Sequence, residues 1–161
     1  MKNKIMTVGQ IRVKVEELHK ENKKVIATSG CFDIIHAGHV MYLQKAAECG
    51  DCLIVFLNSD FSVRRLKGDK RPIVSEDSRA LVVAALEMVD YVGVFDEDTP
   101  CEALSIVRPD CFVKGGEYKD KHIPEEKILA ANGGTVKYID MVQGKSTTNI
   151  VERIKEIYKE G

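Results

Sequence analysis

Two histidines lie three residues apart in His36-Ala37-Gly38-His39, at the predicted start of a helix. Side chains at this spacing project from one side of a helix, and a helix N-terminus offers free N–H groups and a positive dipole end. Gly38 removes a side chain where a phosphate has to come close. Imidazoles donate hydrogen bonds to phosphate oxygens whether neutral or protonated. The pattern therefore predicts a phosphate site contacted by His36 and His39.

Two other interpretations of the histidine pair remain open from the residues alone. A zinc site is one, although the metalloprotease pattern needs a spacing of four and an adjacent Glu. Capping of the helix by the histidine side chains is the other. Phosphate contact is the preferred interpretation, and we assign no residue as a metal ligand.

Apolar runs alternate with amphipathic segments along the chain, which predicts how these histidines are positioned. Strands are predicted at 25–28, 52–57, 91–95, 111–113 and 135–139, and helices at 7–22, 37–49, 60–66, 76–88, 100–108 and 125–131, with a last helix carrying Ile150, Ile154 and Ile157. This alternation predicts one doubly wound, Rossmann-like α/β domain with about five parallel strands flanked by helices. The domain would span 1–161, with an N-terminal helix within 1–22 and a core over 25–155.

Ligands of such sheets bind at the carboxyl ends of the strands. Polar or glycine-rich stretches follow four of the predicted strands: 29–39, 58–60, 114–118 and 144–149. We therefore predict that these four stretches converge on one edge of the sheet. The charged segment 67–72 is predicted to be a mobile loop beside them.

The composition limits the classes of partner. The 161 residues carry 24 Lys and Arg against 25 Asp and Glu, without the basic block typical of nucleic-acid binders. No apolar run approaches the roughly 18 residues of a membrane span, and the first residues lack the apolar region of a secretory signal. We expect a cytoplasmic protein with no nucleic-acid or membrane partner.

The cysteines fit a reducing compartment. Their number is odd, at five, which indicates free thiols. Cys49 and Cys52 have the spacing of a redox motif. We interpret them instead as small apolar residues at a helix end and at the start of a buried strand.

The segment from Gly30 to His39, a Gly-x-Phe-Asp block leading into His-x-Gly-His, resembles the signature of the cytidylyltransferase-like family. Further blocks resemble one branch, the adenylyltransferase domain of bifunctional heptose kinase/adenylyltransferases and its free-standing relatives. These blocks are 65–68, 71–72, 95–100, 113–118 and 146–150. The likeness covers about 25 to 155, and the joint occurrence of all blocks in order is specific. Nothing resembling the sugar-kinase domain is visible.

The resemblance implies a reaction and its participants. An oxygen of a sugar 1-phosphate attacks the α-phosphate of a nucleoside triphosphate, and pyrophosphate leaves. In that branch the nucleotide is ATP, the sugar is D-glycero-β-D-manno-heptose 1-phosphate, and the product is an ADP-heptose for surface glycans. Mg²⁺ bound mainly through the nucleotide phosphates is expected, and a homodimer is implied.

The candidate site residues fall into three groups. We expect catalytic roles for His36, His39 and Lys67, with His39 at the α-phosphate. Together with the histidines, the nucleotide would be bound by Gly30, Cys31, Phe32, Asp33, Arg79, Lys114, Gly115, Ser146, Thr147 and Thr148. The acceptor substrate would be bound by Asn58, Asp60, Gly116 and Glu117.

Several of these assignments have an alternative. Lys67 either closes over the phosphates or is a solvated surface lysine. Arg79, one helical turn after Glu76, either touches the leaving phosphates or forms a surface pair. Asp33 either orients its loop or helps to hold Mg²⁺. The segment 114–116 is either part of the substrate or base pocket or a plain turn.

The Ser-Thr-Thr segment at 146–148 precedes the last predicted helix, and Asn149 and Glu152 have the spacing of a capping pair. Phosphate binding and helix capping are both open there, and they can coexist.

Two enzyme motifs are excluded. Gly144-Lys145-Ser146 looks like the end of a P-loop, but the earlier Gly of that motif is replaced by Ile139. No G-x-G-x-x-G follows the first strand, which argues against a dinucleotide oxidoreductase.

The segment 140–145 lacks the Arg that cytidylyl members often carry, which disfavours CTP, while 119–127 departs from the heptose branch. The alternatives are a CTP-dependent cytidylyltransferase for a polyol or amino-alcohol phosphate and a catalytically silent nucleotide-binding module.

Overall fold

The strands form a parallel sheet, as the alternation predicts. A computed structural model of the chain describes residues 2–140 and 144–159. Within these residues the strands are β1 (Val25–Gly30), β2 (Cys52–Asn58), β3 (Tyr91–Phe95), β4 (Cys111–Gly115) and β5 (Thr135–Ile139). All neighbours pair in parallel, in the order β3-β2-β1-β4-β5. The predicted doubly wound α/β fold is confirmed.

Burial along the strands explains why these segments pair as they do. Every residue of β2 is buried, which matches its uninterrupted apolar sequence Cys-Leu-Ile-Val-Phe-Leu and its place inside the sheet. β5 lies at an edge, and its residues alternate between exposed and half-buried before the buried Ile139.

Helices cover both faces of the sheet. They are α1 (Val8–Lys20), α2 (Ala37–Ala47), α3 (Asp60–Lys67), α4 (Glu76–Ala84), α5 (Cys101–Val107), α6 (Glu125–Ala131) and α7 (Thr147–Tyr158), with short 3₁₀ helices at Lys2–Lys4 and Gly116–Tyr118. Buried residues of α2 and α4 form one core cluster with the sheet, and those of α1, α5 and α6 form the other. No helix among these described elements is both long and apolar enough to cross a membrane.

Several boundaries differ from the sequence predictions, among them those of α3, α4 and α5. α4 ends at Ala84 instead of near residue 88, because the chain turns there to bury Val89 and to pair Asp90 with the backbone of Leu53. Lys67 is the last residue of α3 and does not belong to the following loop. Pro100 is the N-cap of α5 and does not occupy its first turn. All five cysteines are free thiols.

The strand order creates the cleft that holds the candidate site. β1 lies between β2 and β4, so the chain leaves β1 toward one half of the sheet and later returns to its other side. The loops that follow β1 and β4 therefore diverge at the carboxyl ends of these two strands, where doubly wound sheets bind ligands.

Candidate active site

A cavity of about 560 Å³ opens at this switch point. Residues from the ends of β1, β2, β3 and β4, from α3 and from the first turn of α7 line it. Twelve predicted site residues are among them: Gly30, Cys31, Phe32, Asp33, His39, Asn58, Lys67, Lys114, Gly115, Glu117, Thr147 and Thr148. His36 and Ser146 lie instead in an adjoining groove beside α7.

The histidine pair is built into the start of α2. His36 is the N-cap, and its Nδ1 accepts a hydrogen bond from the Gly38 amide at 3.1 Å. The Nδ1 of His39 accepts one from the His36 amide at 3.3 Å. Because each Nδ1 is an acceptor, each neutral ring carries its hydrogen on Nε2. The histidines thus cap the helix and still present an Nε2–H donor each, so the capping and phosphate interpretations are compatible.

The surroundings keep both rings neutral at pH 7 in the absence of ligand. Burial and, to a smaller extent, the neighbouring His36 together lower the pKa of His39 to about 4. Burial and the charge of Lys145 lower the pKa of His36. The rings stack with their centroids 3.8 Å apart, so a charge on one disfavours a charge on the other.

Asp33 holds the loop after β1 against the segment that follows α3. Its side chain is fully buried, and Oδ2 accepts from Arg71 Nε at 2.6 Å and from the Ile73 amide at 2.9 Å. Oδ1 accepts from the Val74 amide at 2.9 Å. Phe32 and Ile34, on either side, have left-handed φ values of 48° and 58°. Of the two interpretations of Asp33, this geometry supports the loop-orienting one.

Replacing Asp33 by Asn is expected to destabilise the protein by about 1.5–3 kcal/mol at pH 7, because charge-assisted hydrogen bonds are lost. Burial raises the pKa of the Asp33 carboxyl, but the hydrogen bonds from Ile73, Val74 and Arg71 lower it more, so its pKa lies below the ordinary value. The unfolded carboxyl takes up its proton near pH ~4, and the folded one only at lower pH. The advantage over Asn is therefore present above about pH 4 and is lost as the pH falls further.

Urea unfolding of the wild type and Asp33→Asn at a series of pH values from neutral to acid measures this difference. A difference in unfolding free energy that stays constant on acidification would contradict the role given to the Asp33 carboxylate.

Cations converge on the cavity from the segment after β2. Lys67 ends α3 and lines the cavity, although much of its side chain is exposed. Arg71 also lines it and reaches Asp33. Arg71 is absent from the predicted site residues, although its place in a charged loop that resembles a family block was a signal for it.

Arg79 is 1% exposed, so the surface-pair interpretation is wrong. Its contact with the leaving phosphates stays a prediction. Its guanidinium donates to the carbonyl oxygens of Val74, Cys31 and Asn58 at 3.0, 2.6 and 2.8 Å, and to Asp60 Oδ1 at 2.8 Å.

Neither Arg79 nor Asp60 is among the residues that line the cavity. Arg79, predicted as a nucleotide contact, and Asp60, predicted as a substrate contact, therefore tie the loops after β1 and β2 together. Asn58 does line the cavity, with its Nδ2 donating to Ser62 Oγ at 2.9 Å.

The end of β4 contributes a lysine that pairs with a buried carboxylate. Lys114 Nζ lies 2.9 Å from Glu125 Oε1 and 4.8 Å from the centre of the Tyr118 ring. Glu125 and Tyr118 line the cavity but are not among the predicted site residues. Glu125 was missed because a glutamate in the first turn of a helix is commonly only a partner of the helix dipole. Gly116, a predicted substrate contact, does not line the cavity; a β-carbon there would collide with Asp140.

The Ser-Thr-Thr segment begins α7 and does not precede it. Ser146 is the N-cap and its Oγ accepts from the Asn149 amide at 3.1 Å, so Asn149 is not the capping residue. Thr147 Oγ1 donates to the Asp33 carbonyl at 2.8 Å. This contact brings the start of α7 to the loop after β1, where Thr147 and Thr148 face the cavity.

Over residues 2–140 and 144–159, no group of three or more His, Cys, Asp or Glu side chains is arranged to hold a metal ion. Asp33 lies in the cavity, but the two oxygens of its carboxylate accept three hydrogen bonds from the protein.

Comparisons with known proteins identify the family of the chain. Residues 27–158 match the family model described as cytidylyltransferase-like. The chain is 49% identical over 159 residues to the bifunctional protein HldE of Syntrophotalea carbinolica, covering 99% of this chain and 32% of that protein. It is 54% identical over 146 residues to the bifunctional protein HldE of a Nitratiruptor species, covering 91% and 31%. The chain thus spans about a third of the length of these relatives.

A solved structure is similar as well. The lipopolysaccharide core biosynthesis protein from Thermoplasma volcanium superposes with a TM-score of 0.61 and 28% sequence identity. The likeness covers 76% of this chain and 99% of the other.

Proposed function

The chain belongs to the cytidylyltransferase-like family and is a nucleotidylyltransferase, and on that premise we propose that it transfers AMP from ATP to D-glycero-β-D-manno-heptose 1-phosphate. Two findings support this substrate pair. The sequence blocks from 65–68 to 146–150 resemble the adenylyltransferase domain of the bifunctional heptose enzymes, and relatives named bifunctional protein HldE match nearly the whole chain.

The proposed reaction needs little covalent chemistry from the protein. An oxygen of the sugar 1-phosphate forms a bond to the α-phosphorus, and the bond from that phosphorus to the bridging oxygen of the β-phosphate breaks. Pyrophosphate leaves with the electron pair. A phosphate monoester has a second pKa of about 6, so the nucleophile is already ionised at neutral pH and no general base is required. Positioning and charge stabilisation are what remains for the protein to supply.

The single observation that carries the proposed nucleotidyl transfer is the histidine pair at the start of α2. Backbone amides hold both Nδ1 atoms, which leaves two neutral Nε2–H donors at the start of α2. We assign the His39 donor to the α-phosphate, because His39 lines the cavity, and the His36 donor to the adjoining phosphates. Such donors are fixed before the substrate arrives, so they need no reorganisation when charge develops.

Other groups around the cavity would complete the phosphate site. Lys67 and Arg71 supply positive charge from the β2 side, and Thr147 and Thr148 lie in the first turn of α7 with its free amides. Mg²⁺ would be bound mainly by the nucleotide phosphates and water, where it would neutralise charge. The Asp33 oxygens already accept three hydrogen bonds, so Asp33 would act on the loop.

A pyrophosphate-release assay tests the proposal with the purified chain, Mg²⁺, each of ATP, CTP, GTP and UTP, and a panel of sugar 1-phosphates and polyol phosphates. We expect release with ATP together with the heptose 1-phosphate. Release with CTP and a polyol or amino-alcohol phosphate would keep the reaction class and overturn the substrate pair. Residues 141–143, part of the segment 140–145 that bears on the choice of CTP, lie outside the described residues.

The silent nucleotide-binding module predicts nucleotide binding with no release for any pair. Calorimetric titration of ATP into the protein is run beside the assay. If ATP binds and no pair releases pyrophosphate although the heptose 1-phosphate is in the panel, the silent module replaces the proposed transferase.

The family resemblance also leads us to propose a homodimer in the cytoplasm. Analytical ultracentrifugation over a range of protein concentrations measures the oligomeric state, and a monomer at all concentrations would contradict the dimer.

A further inference from the structure

Glu125 lines the cavity, and one oxygen of its carboxylate has no hydrogen-bond partner among the described residues. The residue is 1% exposed and belongs to the first turn of α6. Its Oε1 accepts from Lys114 Nζ at 2.9 Å. Its Oε2 is buried and has no hydrogen-bond partner within the described part of the chain. Glu125 is nevertheless among the residues that line the cavity, so its side chain belongs to the wall of the space that a ligand would fill.

Burying a carboxylate oxygen without a donor is costly, and native proteins leave few such atoms. The ion pair with Lys114 fixes the carboxylate in place and satisfies only one oxygen. The remaining oxygen can only accept. The group that completes this site is therefore a hydrogen-bond donor.

The charges around the cavity indicate which part of a substrate lies here. Lys67 and Arg71 come from the segment after β2, on one side of β1. On the other side, after β4, Glu125 neutralises Lys114, and Glu117 adds a second carboxylate. A phosphate group would be repelled by the free oxygen, whereas an uncharged hydroxyl or amino group would be held.

We propose that Glu125 Oε2 accepts a hydrogen bond from a hydroxyl or amino hydrogen of the bound substrate and thereby contributes to substrate selection. The proposal rests on the proposed function, in which both substrates carry such groups away from their phosphates. The donor belongs either to the acceptor sugar, as a hydroxyl, or to the nucleoside, as a ribose hydroxyl or exocyclic amino group. Lys114 is then a positioning residue, because it acts by orienting the carboxylate.

Glu125→Gln tests this assignment. The amide has nearly the same shape, and its oxygen faces Lys114, so an NH₂ group replaces the acceptor next to the ligand. We expect the KM of one substrate to rise roughly 10- to 100-fold, as for a lost hydrogen bond to a charged group, with the other KM within about threefold. Glu126→Gln is the matched control. This neighbouring carboxylate accepts from the Tyr138 hydroxyl at 2.6 Å and is not among the cavity residues, so both KM values should stay near wild type.

The two sources of the donor give different results. A selective rise in the KM of the sugar 1-phosphate assigns Oε2 to a sugar hydroxyl, and a selective rise in the KM of ATP assigns it to the nucleoside. Deoxy or deamino analogues of that substrate should then bind the wild type more weakly than the substrate does, whereas Glu125→Gln should bind the analogue and the substrate about equally. Unchanged KM values, or equal changes in both, would overturn the proposal and leave Oε2 with solvent as its partner.

Equilibrium binding separates this inference from the proposed function. Calorimetric Kd values for ATP alone and for the heptose 1-phosphate alone do not depend on turnover, so Glu125 is tested even if no pyrophosphate is released. If Glu125→Gln does not fold, the double variant Lys114→Gln/Glu125→Gln is used, because it removes both charges of the ion pair. Comparison with Lys114→Gln alone then isolates the carboxylate, and equal Kd values in the two variants would overturn the proposal.

Discussion

Replacing His39 by Gln is expected to lower kcat by about 10²–10³, or roughly 3–4 kcal/mol of transition-state stabilisation. His39 has two functions in the structure: Nδ1 accepts from the His36 amide and helps to cap α2, while Nε2–H is free to donate. Gln at this third helical position can reach back to the same amide, as in a capping box. It would keep the cap and lose the donor at the α-phosphate, so activity should fall without a matching loss of stability.

Pyrophosphate release at saturating substrates, together with thermal melting, measures both effects. His122→Gln is the matched control, because the His122 side chain is fully exposed and lies outside the cavity; its kcat should equal that of the wild type. If His39→Gln keeps full turnover, the assignment of His39 to the transition state is wrong. If it loses turnover only because it melts at the assay temperature, the capping function alone accounts for the histidine.

The residues that meet at the candidate site could be predicted in large part because their signals in the sequence are local. A buried apolar run such as Cys52–Asn58 identifies a strand inside the sheet, and the alternation with helices fixes where the carboxyl ends lie. His36 and His39 are three residues apart, so their relation is encoded within one helical turn. The predicted convergence of loops follows from these two facts.

The roles that sequence reasoning missed depend on contacts between distant segments. Arg79 donates to the carbonyl oxygen of Cys31, 48 residues earlier in the chain, and the residue pattern within α4 does not predict this partner. The boundary of α7 was misplaced for a related reason: Thr147 is fixed by the Asp33 carbonyl, 114 residues earlier. Glu125 was missed because its burial depends on α6 docking onto β4 beside Lys114.

These distant contacts share one target, the loop after β1. Thr147 holds the Asp33 carbonyl, the Asp33 carboxylate holds the segment that includes Arg71, and Arg79 holds the Cys31 carbonyl. The start of α2, with its histidines, follows this loop directly. The precision of the phosphate donors therefore depends on side chains that do not themselves contact phosphate in the proposed complex, which is the kind of support that preorganised sites need.

Replacing Arg79 by Met should accordingly reduce the free energy of unfolding by about 3–5 kcal/mol, the range for removing one partner of a buried ion pair. The side chain is 1% exposed, and its loss leaves the Cys31 and Asn58 carbonyls and the Asp60 carboxylate without their donor. Met fills a similar volume but donates nothing, so the loops after β1 and β2 lose the link between them.

Urea unfolding followed by circular dichroism measures the change. Arg153→Met is the matched control, since Arg153 is 71% exposed and pairs only weakly with Glu156 at 3.4 Å; its effect should stay within about 0.5 kcal/mol. A loss below about 1 kcal/mol for Arg79→Met would show that water replaces the guanidinium and that Arg79 is not the link. Arg79 would then be assigned to the leaving phosphates instead. The result expected for that assignment is a raised KM for ATP in Arg79→Met with unchanged stability.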